Sequence, residues 1–413
     1  MNHFHVRRGA LWCEAVPLTR IADEVGSPTY VYSQATLTRH LSVVQAAFAA
    51  TPTLVCYSVK ANSNLAVLRL FARAGSGFDI VSGGELGRVQ AVSGAADKVV
   101  FSGVGKRADE LEAALRAGIL MFNVESAEEL TLLDAVGRKL GRRAPFALRV
   151  NPDVDAKTHR YISTGLKTSK FGVPFEEAVA LYAKSRRMKG VEARGVDCHI
   201  GSQLTDTRPV RQALGRVAGL YAGLTAQGFK LTHLDVGGGL GVTYTTENPP
   251  SVDVYARTVI EATRHTGATL VLEPGRVLVA NAGVLLTRVL FNKETPARHF
   301  VIVDAGMNDL MRPALYEAHH DIVAVKPRRG PKKTVDVVGP VCESTDVLGH
   351  GRPLAPLKAG DLLAIRSAGA YGMTMASTYN SRQRPAEVLV DGDTFRVVRK
   401  RDELTALWQG ETP

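Results

Sequence analysis

The chain has 413 residues and 45% hydrophobic side chains, enough apolar material for two cores. With 22% charged residues, and with its most apolar stretch VLVANAGVLLTRVLF (277–291) broken by Asn281 and Arg288, it offers no run of the ~20 apolar residues that a membrane span needs. The net charge of +11 raises nucleic acid as a partner. Its densest patch, KPRRGPKK (326–333), carries two prolines, a glycine and no aromatic, and reads as a solvated loop between strands. Neither a nucleic-acid nor a membrane partner is expected, although a basic surface also attracts anionic metabolites. The N-terminal MNHFHVRRGALW lacks the apolar core of a secretory signal. Cys13, Cys56, Cys198 and Cys342 form no CxxC pair. A cytoplasmic protein with reduced thiols and no metal is the expectation.

In chain order, residues 1–34 read as short strands and turns that join a later β-domain. From 35 to 280, β-branched runs alternate with amphipathic helical stretches. The predicted strands are TLVCYSV (53–59), GFDIVS (77–82), KVVFSG (98–103) and LMFNVE (120–125). FALRVN (146–151), ARGVDCHI (193–200), THLDVGG (232–238) and TLVLEP (269–274) follow. Patterns such as LAVLRLFARAG, with apolar residues at helical spacing and a glycine stop, separate them. Eight such units predict an α/β fold, a (β/α)8 barrel over 35–280. Residues 281–413 change character: FVIVDAG, DIVAV, TVDVVGP, DLLAIRS, AEVLV and TFRVV are short strands between Gly, Pro and Asp turns, a C-terminal all-β domain.

Barrel active sites form at the C-terminal ends of the strands. The residues expected there are Lys60 closing strand one, Ser82 strand two, Asn151 strand five, His199 strand six, Gly237–Gly239 strand seven and Glu273 strand eight. An amine delivered by an apolar strand is desolvated, which lowers its pKa and makes it a nucleophile toward a carbonyl. Pyridoxal phosphate is the cofactor most often held by such a lysine. LDVGGGLG (234–241) offers backbone N–H groups to a phosphate, although a glycine triplet is equally a tight turn. It is no GxGxxG fingerprint, because Val242 and Tyr244 stand where glycines would be needed. EPGR (273–276) places Glu273 where a carboxylate can pair with a protonated ring nitrogen, with Arg276 near an anion; alone it is also a turn with a surface ion pair. CHIGSQ (198–203) offers the face of His199 and the hydroxyl of Ser202.

Taken together, YSVKAN, FDIVSGGEL, HIGSQ, LDVGGGLG, EPGR, CEST and AGAYG resemble, in their order, the barrel-type (fold type III) pyridoxal phosphate decarboxylases, the group of the ornithine and arginine enzymes. HRYISTGLKTSKFGVP (159–174), GPVCES (339–344) and CEAVPLTRIADEVGSPTYVYS look like the diaminopimelate decarboxylase family within it. The resemblance covers essentially the whole chain and implies a barrel joined to a β-domain, and a homodimer whose active sites are shared between subunits. It implies that Lys60 forms the imine with the cofactor, that His199 stacks on the ring, and that Glu273 holds the pyridine nitrogen protonated. Ser202, Gly238, Gly239, Pro274, Gly275, Arg276 and Tyr371 surround the cofactor. A carboxylate at Glu273 strengthens the ring as an electron sink and so favours loss of CO2. An arginine in its place, as in the related alanine racemases, would weaken that sink.

By the same resemblance Cys342 is the proton donor, contributed to the neighbouring subunit's site; a thiol can give up a proton near neutral pH. Glu343 binds the distal ammonium of the substrate. Arg312 and Tyr316 hold its distal carboxylate, with Arg276 and Tyr371 also touching substrate. The implied reaction is decarboxylation of meso-2,6-diaminopimelate to L-lysine, the last step of bacterial lysine synthesis. The alternatives are an ornithine- or arginine-type decarboxylase, or a non-catalytic cofactor-binding relative. The family usually has glycine after CES where this chain has Thr345, and a β-branched residue resists positive φ, so a slightly different turn is expected there. Residues 152–170 read as a loop.

Overall fold

The structure is a computed structural model that describes residues 2–154 and 170–412. Most of the 152–170 loop, and with it residues 159–169 of HRYISTGLKTSKFGVP, lies outside the described residues. The chain divides into two compact units. One comprises Leu41–Val242 and Asn248–Val277; the other comprises Met1–His40, Thr243–Glu247 and Leu278–Pro413.

The first unit is a closed barrel of eight strands: β1 (Thr53–Ser58), β2 (Gly77–Ile80), β3 (Val99–Phe101), β4 (Met121–Val124), β5 (Ala144–Asn151), β6 (Val191–Asp197), β7 (His233–Asp235) and β8 (Thr269–Leu272). They pair in parallel in sequence order, β8 returns to β1, and β4–β5 completes the ring. Helices between the strands start and stop where side chains and glycines dictate. The hydroxyls of Ser82 and Ser126 accept the N–H groups of Glu85 and Glu129, and Gly141 ends its helix at φ 62°.

All eight expected strands are present, but several end earlier than expected. β1 stops at Ser58, and Val59–Ala61 form one 3₁₀ turn. Lys60, Ser82, His199, Gly237–Gly239 and Glu273 therefore sit just beyond their strands, where ladder pairing has ceased and the loops begin. Only Asn151 is itself a strand terminus.

Inside the barrel, side chains alternate with period two. Cys56, Val100, Met121, Ala147 and Val271 pack into one buried apolar cluster. Two residues further along the same strands stand Ser58, Ser102, Asn123, Arg149 and Glu273, all buried. An apolar floor thus carries a polar layer directly above it. A polar layer inside a protein is tolerable only where its members satisfy one another.

In the second unit, Thr29–Ser33 pairs antiparallel with Gly283–Leu286 and parallel with Ala386–Val390. The sheet continues through His299–Val303, Lys333–Val338 and Val347–Leu354, with Leu362–Ile365 and Ile322–Ala324 branching from Gly283–Glu294. Two of these strands, Gly283–Glu294 and Val347–Leu354, have no counterpart in the sequence reading. Leu18, Ile21, Val31, Val284, Leu286, Val388 and Val390 form the core here. KPRRGPKK leads out of Ile322–Ala324 into Lys333–Val338, mostly as exposed loop. Arg328 makes two 2.8 Å bonds to Asp361. Among the described residues, no helix is long and apolar enough to cross a membrane.

Candidate active site

Lys60 rises from the 3₁₀ turn with its Nζ 2.6 Å from Asp79 Oδ2. Asp79 is fully buried, and the same oxygen accepts the Ser58 hydroxyl at 2.7 Å. The lysine side chain is 40% exposed. Simple desolvation of the amine, expected from the apolar strand, is thus not what the structure holds. A carboxylate one strand away fixes the amine, and enough of it stays open for a reactant to reach. Asp79 was not singled out in the sequence, although an acid inside the otherwise apolar run GFDI was its signal.

Glu273 lies at the centre of the polar layer. Its Oε1 accepts the Ser102 hydroxyl at 3.1 Å and the Asn123 amide at 3.2 Å. Burial pushes its carboxyl up to about 7, Asp79 adds to the shift, and Lys60 and Arg149 oppose it. The Asn123 amide also reaches Asp235 Oδ2 at 3.0 Å, and Asp235 Oδ1 accepts the Gly237 N–H at 3.0 Å. Arg149 is paired with Glu125 at 3.1 Å. Asp197, Asp235, Asn123 and Arg149 are further functional candidates that sequence reading missed. Each lies within a strand, and only the closed barrel brings them to one level.

Beside this layer the glycine loop comes close to its neighbours. A Cβ on Gly238 would stand 2.1 Å from the Glu273 carbonyl oxygen, and one on Gly239 (φ +104°) 2.2 Å from that of Gly201. Only glycine fits both places. The Gly238 N–H donates to His199 Nδ1 at 3.2 Å, which leaves Nε2 to carry the ring proton. Burial, with Arg149 and Lys60 nearby, holds this imidazole well below its usual pKa, so it is neutral. Arg276 is buried and donates to the Ser202 hydroxyl at 3.0 Å. The barrel thus brings Lys60, His199, Ser202, Gly238, Gly239, Glu273 and Arg276 to one end.

Pro274 and Gly275 follow Glu273 in the first unit, and the second unit holds Cys342, Glu343, Arg312, Tyr316 and Tyr371. Cys342 and Glu343 are exposed on a loop whose backbone is pinned from below. The buried Asp346 accepts the N–H groups of Met307 at 2.6 Å and Val341 at 2.7 Å, and Asn380 accepts that of Cys342 at 2.8 Å. Thr345 is not among the positive-φ residues, in keeping with its β-branched side chain. Arg312 opens a short helix, Arg312–Tyr316. Its guanidinium meets His320 Nε2 at 2.8 Å and lies 4.9 Å from the centre of the Tyr244 ring. Tyr316 is half-buried in that helix. Tyr371 adopts φ 55°, in a turn where Gly369 closes against the Val279 carbonyl.

Pyridoxal phosphate requires an amine, a flat surface for the ring, a partner for the ring nitrogen and donors for a dianion. The amine of Lys60, the neutral His199 ring, the buried Glu273 and the Cβ-free Gly238–Gly239 backbone beside Ser202 and Arg276 match those needs. The comparisons agree. Residues 34–280 match the family described as pyridoxal-dependent decarboxylase, pyridoxal binding domain. The chain is 52% identical to a diaminopimelate decarboxylase of Vibrio cholerae, over 100% of this chain and 99% of that protein. It is 54% identical to one of Pseudomonas aeruginosa, over 100% and 99%. The crystal structure of diaminopimelate decarboxylase from Helicobacter pylori complexed with L-lysine is 42% identical, with a TM-score of 0.92 over 95% of this chain and 98% of that one. This chain belongs to the diaminopimelate decarboxylase family of the pyridoxal-dependent decarboxylases.

Proposed function

We infer that this protein removes CO2 from meso-2,6-diaminopimelate to give L-lysine, with pyridoxal phosphate at the barrel mouth. The cofactor, when bound, supplies a carbonyl for an amine and a ring that accepts the electron pair released as CO2 departs. The protein's part is to tether, orient and manage protons. Lys60 contributes the tethering amine, and Asp79 holds a proton at its Nζ. His199 presents a flat neutral surface, fixed by the bond it accepts from the Gly238 N–H. Glu273 keeps a proton on the ring nitrogen. Ser202, Gly238, Gly239, Gly275, Arg276 and Tyr371 hold the phosphate, and Pro274 shapes that turn. Cys342 gives a proton to the carbon that lost CO2. Glu343 receives the distal ammonium, Arg312 and Tyr316 receive the distal carboxylate, and Arg276 and Tyr371 also touch substrate.

The observation that carries this reading is the buried carboxyl of Glu273 beside the Lys60–Asp79 pair, since a decarboxylase needs both an amine and a partner for the ring nitrogen. The exposure of Cys342 and Glu343 supports a homodimer in which each chain lends these residues to the other's site. Four free cysteines support a reducing cytoplasm. Purified protein with pyridoxal phosphate and meso-diaminopimelate is expected to yield lysine and CO2 in equal amounts. Faster turnover of ornithine or arginine would overturn the specificity assigned to Glu343 and Arg312. A loaded protein inert to all three would identify a binding protein instead.

A further inference from the structure

Three buried carboxyls, those of Asp197, Asp235 and Glu273, have oxygens within 4.8 Å of one another. The register of β6 and β7 sets Asp197 directly beside Asp235, with Arg149 on its other side. The charged neighbours that act most on the trio are two further carboxyls, Asp79 and Glu125, and two cations, Lys60 and Arg149; just beyond them the buried Lys106 donates to the Asn123 carbonyl oxygen at 2.7 Å and is itself engaged by Glu129. The neighbouring thiols of Cys56 and Cys198 and the phenol of Tyr255 are pushed up by burial and stay neutral, and His199 is neutral as well. Lys60 is engaged by Asp79, and Arg149 by Glu125. Two cations therefore face five carboxyls. Even a protonated pyridine ring would leave two negative charges uncompensated in a water-poor interior, which is strongly unfavourable.

Hydrogen bonds indicate where the missing protons sit. Asp79 and Glu125 are each held by a cation. Glu273 accepts from Ser102 and Asn123. Asp197 Oδ1, like Asp79 Oδ1, is buried without a hydrogen-bond partner among the described residues; Asp79 has Lys60 at 2.6 Å to compensate it, whereas among the described residues no cation pairs with Asp197, a position far less costly for a neutral acid than for an anion. Asp235 and Glu273 share the Asn123 amide, so both crowd one donor. A proton on Asp235 turns repulsion between two anions into attraction.

We propose that Asp197 and Asp235 are held as neutral carboxylic acids at neutral pH, positioning residues that leave Glu273 the one anion of the trio, aimed at the cofactor's ring nitrogen. Burial pushes both aspartates well above the usual carboxylate range, with Glu273 adding to each shift. The proposal rests on the reading of Glu273 as the ring partner, and deepens it.

Infrared spectroscopy of the holoenzyme at neutral pH tests it. A carboxylic-acid C=O band is expected that moves in D2O and on carbon-13 labelling of aspartate, and that diminishes in Asp197→Asn and again in Asp235→Asn. Absence of an aspartic-acid band in the wild-type protein overturns the proposal whether or not the variants fold, and so does a band that persists undiminished in folded Asp197→Asn and Asp235→Asn proteins, since Asp309 would then account for it. Dissociation of pyridoxal phosphate gives a second readout. Replacing a neutral acid by an amide should change it by no more than about threefold, whereas removing an ionised carboxylate this close to the ring's charge weakens binding on the order of a hundredfold at an effective dielectric of ~20. Loss on that scale also overturns the proposal. Glu273→Gln separates the underlying reading: unchanged turnover and cofactor affinity there would remove Glu273 as ring partner, while the infrared band still reports the aspartates.

Discussion

The barrel mouth and the Cys342–Glu343 loop hold their chemical groups in opposite ways. At the mouth, Glu273, Asn123 and Asp235 are buried and fixed by side-chain hydrogen bonds whose donors lie up to 171 residues away. On the loop, the backbone is pinned by Asp346 and Asn380, while the Cys342 and Glu343 side chains are exposed. A cofactor that stays in place calls for a rigid, preorganised layer. In the roles proposed for Cys342 and Glu343, a proton donor and a specificity group that act on a passing substrate need a fixed backbone and reachable side chains. The contrast teaches that function here divides between a layer set by side-chain partners and a loop set by backbone anchors.

Lys60→Ala should break the first half outright. Turnover falls by on the order of 10³-fold or more, the scale of losing a nucleophile, and the visible absorbance of bound pyridoxal phosphate disappears with it. Cys342→Ala should separate the two regions. Turnover drops by roughly 10²–10⁴-fold, as for loss of a general acid, while cofactor absorbance and affinity stay as in the wild type. If the absorbance vanished as well, the loop would belong to cofactor binding.

Asp346→Ala sharpens the comparison at smaller scale. It leaves the Met307 and Val341 N–H groups without their acceptor, which costs about 1–3 kcal/mol of stability per group left buried and unpaired. The loosened loop should lower kcat/KM by about tenfold, with cofactor affinity retained. Urea unfolding and steady-state kinetics on the same preparation check both effects.

The smallest expected effect is a pH dependence. Burial pushes Asp309 up to about 7, against the hydrogen bond from the Gly306 N–H. An unfolded aspartate titrates near ~3.9, so between about pH 4 and 7 the folded state binds more protons and stability falls as pH rises. Asp309→Asn should flatten that slope by on the order of 1–3 kcal/mol between about pH 5 and 8, read from urea midpoints. An unchanged slope would show that Asp309 is ionised throughout.

The sequence revealed the barrel because buried parallel strands are short apolar runs between helical repeats, a pattern carried by local composition. Val347–Leu354 escaped because VLGHGRPL contains two glycines and a proline. It is a strand only through irregular pairing with Lys333–Val338. Gly283–Glu294 was hidden in an apolar run broken by Asn281 and Arg288, where no alternation marks the strand's start. In the site, Lys60, His199, the glycine loop and Glu273 were legible because each stands in a turn whose composition is unusual. Asp79, Asn123, Asp197 and Asp235 were not. Their meaning comes from partners 19 to 150 residues away along the chain, which only the barrel's register supplies.

The proposed homodimer, in which the buried mouth of one chain is completed by the exposed loop of another, has a direct test. Lys60→Ala and Cys342→Ala proteins, each nearly inactive, are mixed under conditions that exchange subunits. If sites are shared across a two-fold dimer, half of the random pairs are mixed and carry one intact site each, so roughly a quarter of wild-type activity returns. Recovery to that level is the result this account predicts. Verified subunit exchange without any recovery would contradict it.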